Sequence, residues 1–289
     1  MKINKNFYGD WVDLLRDILV NYWNYDINEV NKIDDEELPI HYFNAEQRRV
    51  ETRKRKIILS DVFNCPDKYD SGWDLLKEKI ESGIDLTPHL SKLVSLVDKK
   101  DPMLNDWKIH HFHLGTELKG DYINRTGPLV FAYVTDDEIY IVNVFGHGQW
   151  ENTDIIEIIH RNWPHLIEQF KVEGIKHLAY EPSIKDRKQL RKIHTNSFVT
   201  VSDGTIYAPI GGGSSSTGFN IKSSMSLIRQ KKLLTDLEIM LDNNINSIIP
   251  QLLNEGYDGV SDLDVKLVIE GREYHAVFHQ FKCSVQFPI

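Results

Sequence analysis

The chain has 289 residues, a net charge of −9, and 41% hydrophobic residues, enough to bury a real core in more than one lobe. No stretch reaches the roughly 20 apolar residues of a bilayer span, and the first residues do not read as a signal peptide, so a cytoplasmic protein with no membrane partner is expected. The acidic balance argues against a surface coated for duplex DNA, but a local basic patch leaves RNA open. Cys65 and Cys283 lie far apart without CxxC spacing, which excludes a disulfide framework and a cysteine-based zinc site.

In chain order, Asp10 to Tyr25 carries apolar residues at helical spacing. The acidic run 34–37 gives way to residues 48–56, with six basic residues in nine, then to a strand-like Ile57-Ile58-Leu59. That basic run reads either as a solvated face or as a phosphate grip through Arg53 and Arg55. Trp73 to Ile80 and Leu90 to Val97 suggest two further short helices. Trp107 to Leu114 has strand character, and residues 129–134 pair with 139–144 across a Thr-Asp-Asp-Glu turn. Thr153 is the expected cap of a helix from Asp154 toward Phe170. A second hairpin is expected around Ser202-Asp203-Gly204, the Gly/Ser stretch 211–218 reads as a mobile linker, Leu227 to Leu253 as helix and Val265 to Phe287 as strands.

The expected fold class is α+β: a mainly helical N-terminal region (1–105), a central antiparallel sheet with a covering helix as catalytic core (106–195), and a C-terminal accessory α/β extension (196–289).

Four of the twelve histidines fall at positions 110, 111, 113 and 147. In a strand His111 and His113 share one face, and His110 shares the other with Phe112. Arg125 precedes the first hairpin strand, and His147 follows the second between two glycines. Such a set suits metal-independent RNA cleavage. One neutral histidine (His111 or His113) removes the 2′-hydroxyl proton, His147 protonates the leaving 5′-oxygen, and Arg125 stabilises the phosphorane. Tyr122, Tyr133 and Trp150 offer stacking surfaces for single-stranded RNA, with His110 and Lys108 as further substrate contacts. No cofactor is required. Two other readings stay open: a zinc site using His-x-His with His147, and a binding module for nucleic acid or protein without turnover.

The order of helix, strand, hairpin and helix over about 75–170, with Arg125 before Leu129–Val134 and an Asp-Asp-Glu turn into Ile139–Val144, resembles the core of RelE-type toxins and the wider barnase–EndoU–colicin–RelE ribonuclease fold. The string Asp106-Trp-Lys-Ile-His-His-Phe-His-Leu-Gly, with Arg125-Thr-Gly and Asn162-Trp-Pro, also resembles an uncharacterised bacterial protein family. The first resemblance implies an endoribonuclease of the toxin or phage-defence type, with RNA as partner and an antitoxin-like protein as inhibitor. His111 and His113 then stand where the toxins carry a basic residue at the strand end, and His147 stands at their terminal site. Oligomeric state is left open by the sequence.

Overall fold

The computed structural model describes residues 1–288, and the chain is α+β. It divides into two compact units, one of residues 1–42 with those from Met225 onward, the other of residues 43–224. The two ends of the chain thus form one unit, and the larger unit takes in the segment from 43. Among the described residues no helix is long and apolar enough to cross a membrane.

In the smaller unit, helix Phe7–Asp17 starts where the Asn6 side chain accepts from the Gly9 amide, and it buries Phe7, Trp11 and Leu15. The helix Ile221–Asn254 buries Leu234, Leu237, Leu241, Ile245, Ile248 and Leu252, a spacing of three and four that keeps one face inward. Lys266–Glu270, Glu273–Phe278 and Cys283–Gln286 form an antiparallel sheet, with Phe287 edge-on to Phe7 at 5.9 Å.

The larger unit is built on four strands: β1 (Lys56–Leu59), β2 (Ile109–His113), β3 (Pro128–Val134) and β4 (Glu138–Gly146), in the order β1-β4-β3-β2. β2, β3 and β4 are antiparallel as expected, but β1 joins β4 in parallel, so the sheet is mixed. The reason is that α1 (Asp70–Ser82) and the turns after it lie between β1 and β2, a connection long enough to cross over a sheet face. One face, with Ile109, Phe131, Tyr133, Tyr140 and Val142, packs on Ile155, Ile156 and Ile159 of helix α3 (Asp154–Asn162). The other, with Phe112, Val130, Ala132 and Ile141, packs on Leu76 and Ile80 of α1 and on Leu86, Leu90 and Val94. α1 comes so close to the strand end that a Cβ on Gly72 would sit 1.9 Å from the Leu114 carbonyl oxygen.

Helix α2 (Pro102–Trp107), capped by Asp101, ends at Lys108, whose left-handed backbone (φ 57°) turns the chain straight into β2. Several expectations change in detail. Residues 90–97 form only a 3₁₀ turn, Lys92–Ser95. The first-turn amide of α3 is held by Asn152, which accepts from the Asp154 amide at 3.0 Å, rather than by Thr153. The 211–218 stretch is no mobile linker. The Gly213 amide donates to the Asn105 carbonyl, and Asn105 Nδ2 donates to the Gly218 carbonyl. A Cβ at Gly211 would meet the Asn105 carbonyl oxygen at 2.2 Å. Glycine is there for close approach rather than for motion.

Candidate active site

β2 is the edge of the sheet, with β3 on one side and, among the described residues, no strand on the other. Along that free edge lies a cavity of about 430 Å³. The Leu90–Val94 segment, the start of α2, the loop after β4 and helix α4 (Ile184–Lys192) complete its walls. Alternation along β2 is as the residue pattern demands: His111 lies near Phe131, and His110 stacks on Phe112 toward the opposite face. Because the cavity wraps an edge rather than one face, His110, His111 and His113 all line it.

His147 and Trp150 arrive from the loop after β4. The Trp150 ring lies 4.7 Å from His111 and 5.2 Å from His147, so one indole bridges the two imidazoles. His147 is exposed and His111 half-buried. The Nδ1 atom of His111 is buried and finds no hydrogen-bond partner. A buried imidazole nitrogen without a partner is uncommon in a folded protein.

Burial sets the protonation of the floor. It pushes His110 down to about 4, and His113 down to about 3 with help from the nearby Arg125 charge. His111 is also lowered, again chiefly by burial. These imidazoles are therefore neutral at pH 7. The Thr126 amide donates to His113 Nδ1 at 3.2 Å, which places the His113 proton on Nε2. His113 can donate from Nε2, but as a base it is already engaged.

A residue the sequence reading missed holds this strand end. His89, fully buried in the 3₁₀ turn Thr87–His89, meets the His113 carbonyl through Nδ1 at 2.9 Å and Lys79 Nζ through Nε2 at 3.0 Å. Its Nδ1 must carry the proton to reach a carbonyl, so Nε2 accepts from the ammonium. Burial pushes His89 down to about 4, which keeps that tautomer in place. Nothing local in Thr-Pro-His signals this partnership, because its partners lie 10 and 24 residues away.

The second wall is cationic. α4 begins with a reciprocal cap between Ser183 and Asp186. Its inward Arg191 is bound through Nε and one terminal nitrogen to Asp106, at 3.0 and 2.9 Å, lies 4.2 Å from the Trp107 ring centre, and donates to the Trp150 carbonyl. Arg187, one turn earlier, donates to Ser197 Oγ at 2.6 Å. These anchors fix the outer residues Lys188 and Lys192, four apart and exposed, at the cavity. Neither lysine has a carboxylate within ion-pair distance among the described residues. Altogether five cationic side chains and two acidic ones line the space, in a protein whose net charge is −9.

Several expected site residues lie elsewhere. Arg125 is not among the residues that line the cavity: it donates to the Leu90 carbonyl at 2.6 Å and packs on Tyr122 at 5.1 Å, behind the wall that Leu90 forms. Lys108 and Tyr133 occupy each other, with the ammonium 4.8 Å from the ring centre. Arg55 is buried and donates to the carbonyls of Thr135 and Glu51, while Arg53 pairs with Glu51 and Asp137 at the surface. Among the described residues no group of three or more His, Cys, Asp or Glu side chains is placed to hold a metal ion. The expected three-imidazole zinc site is therefore not formed among the described residues. No family model, curated protein or solved structure matches the chain.

Proposed function

We propose that the larger unit is a metal-independent endoribonuclease of the toxin or defence type, acting in the cytoplasm on RNA through 2′-hydroxyl attack. The observation that carries this reading is the pairing of a neutral, half-buried His111 with an exposed His147 across Trp150 in one cationic cavity. A base must be neutral when substrate arrives, and an acid must regain its proton from water between turnovers. Burial serves the first need at His111 and exposure the second at His147.

In the reaction, His111 accepts the 2′-hydroxyl proton while the 2′-oxygen forms a bond to phosphorus. The bond from phosphorus to the 5′-oxygen breaks, and that oxygen takes a proton from His147. The products are a 2′,3′-cyclic phosphate and a free 5′-hydroxyl. Negative charge on the phosphorane is met by Lys188 and Lys192, which replace Arg125 in the role, and by the His113 Nε2–H donor. An antitoxin-like inhibitor would act by covering this same opening.

The test is incubation of the purified chain with single-stranded RNA in excess chelator. Cyclic-phosphate products are expected, with His111→Ala and His147→Ala each slower by about 100-fold or more. No cyclic product, or a His111→Ala variant as fast as the parent, overturns the reading. RNA binding without cleavage favours the binding module instead.

A further inference from the structure

Two walls of the cavity differ in chemistry. Leu90, Leu93 and Val94, with Met103 and Leu129, form an apolar patch, edged by Ser91, Arg48, Lys100 and Asp101. The loop after β4 and α4 bring His147, Trp150 and Glu151, with Lys188, Arg191 and Lys192. The imidazole row of β2 lines the same space. At about 430 Å³ the space lies within the range of pockets that enclose one small ligand, roughly 300–1,000 Å³. It is far too small for a duplex.

We propose that this cavity receives a single nucleotide unit of unpaired RNA, its base against the Leu90–Val94 wall and its 3′-phosphate on Lys188 and Lys192. The inference rests on the ribonuclease reading for the placement of the phosphate. That reading makes the enclosed nucleotide the one whose 2′-hydroxyl attacks, because His111 lines the same space. A base buried among aliphatic side chains loses its stack and gains apolar contact, and the phosphate keeps ion pairs that replace its hydration. Strands whose bases are already unpaired are then the substrates, since a base pair would have to open first.

Calorimetry on the full chain, in chelator, with a nucleoside 3′-monophosphate, the matching nucleoside and inorganic phosphate as separate probes tests this. The nucleotide is expected to bind at least about tenfold more tightly than either part alone, since both walls act on one molecule. Leu93→Ala, at an exposed position, should weaken the nucleotide about fivefold and leave phosphate unchanged. Lys188→Ala combined with Lys192→Ala should abolish the phosphate contribution and leave the nucleoside unchanged. A duplex of the cleaved oligonucleotide should be cut at least about tenfold more slowly than the single strand. If the strand is cleaved but the nucleotide binds no better than phosphate, the single-nucleotide pocket is overturned while the ribonuclease stands. If the nucleotide binds as described and no RNA is cut, the pocket is upheld and the ribonuclease is overturned.

Discussion

Two cationic stretches of this chain look alike on paper and behave oppositely in the fold. Residues 48–56 form the densest basic run. Yet Arg48 gives its guanidinium to the carbonyls of Leu93 and Leu96, and Arg55 gives its own to Thr135 and Glu51. Helix α4 carries a more diluted set, in which Arg187 and Arg191 are committed inward and Lys188 and Lys192 are left at a cavity without acidic partners. What separates them is geometry. Carbonyls at the ends of strands and turns compete for guanidinium groups that can reach them. A helix, by contrast, sorts neighbours in sequence onto opposite faces. Charge density in a sequence therefore says little about which charges remain available to a ligand.

Four measurements sharpen that contrast. The largest effect concerns the imidazoles beneath both stretches. In the unfolded chain they titrate near 6.5. In the folded chain His89 and His110 lie at about 4 and His113 at about 3. The unfolded state therefore binds more protons as pH falls below about 6.5, and stability complete above that value is lost toward pH 4. Three such groups give a slope of up to about 4 kcal/mol per pH unit. Urea titrations at pH 7, 6 and 5 should show the midpoint falling steeply, and an unchanged midpoint would break the account of the cavity floor.

Next comes Arg55→Met, which leaves the half-buried Thr135 and Glu51 carbonyls without this donor and should cost about 1–3 kcal/mol in chemical denaturation while the folded fraction cleaves RNA at the parent rate. Replacing Lys188 and Lys192 together by alanine should do the reverse. kcat/KM is expected to fall about 10–100-fold, equivalent to about 1.4–2.7 kcal/mol, with a shallower salt dependence and stability within about 0.5 kcal/mol of the parent. The smallest effect is expected at Arg53→Ala. Its surface pairs with Glu51 and Asp137 are long, so stability should move by less than about 1 kcal/mol and the salt dependence not at all. A loss of RNA affinity in that variant would bring Arg53, like the cavity-lining Arg48, to the site.

Much of the fold was legible because its signals are local. The hairpin of β3 and β4 follows from two apolar runs around an acidic turn, and the α3 helix from isoleucines at helical spacing. The alternation of His110 and His111 was legible for the same reason. The parallel seat of β1 and the joining of the two chain ends into one unit were not, since both depend on partners far along the chain. At the site, β2 and His147 could be read from the sequence, but Arg125 could not be told from a ligand-binding arginine until its carbonyl partner, 35 residues earlier, was placed. Lys188, Lys192 and His89 carried no motif at all. Their roles come from a capped helix and a 3₁₀ turn brought to an edge by tertiary packing.

That edge has a consequence for solubility. An unpaired outer strand offers amides and carbonyls to any passing extended chain, and such strands seed aggregation unless they are obstructed. Along β2 the last carbonyl is already taken by His89, and residues of α4 and of the Leu90–Val94 segment line the cavity beside that strand. The segments that wall the proposed nucleotide pocket would then also hinder the sheet from recruiting another strand.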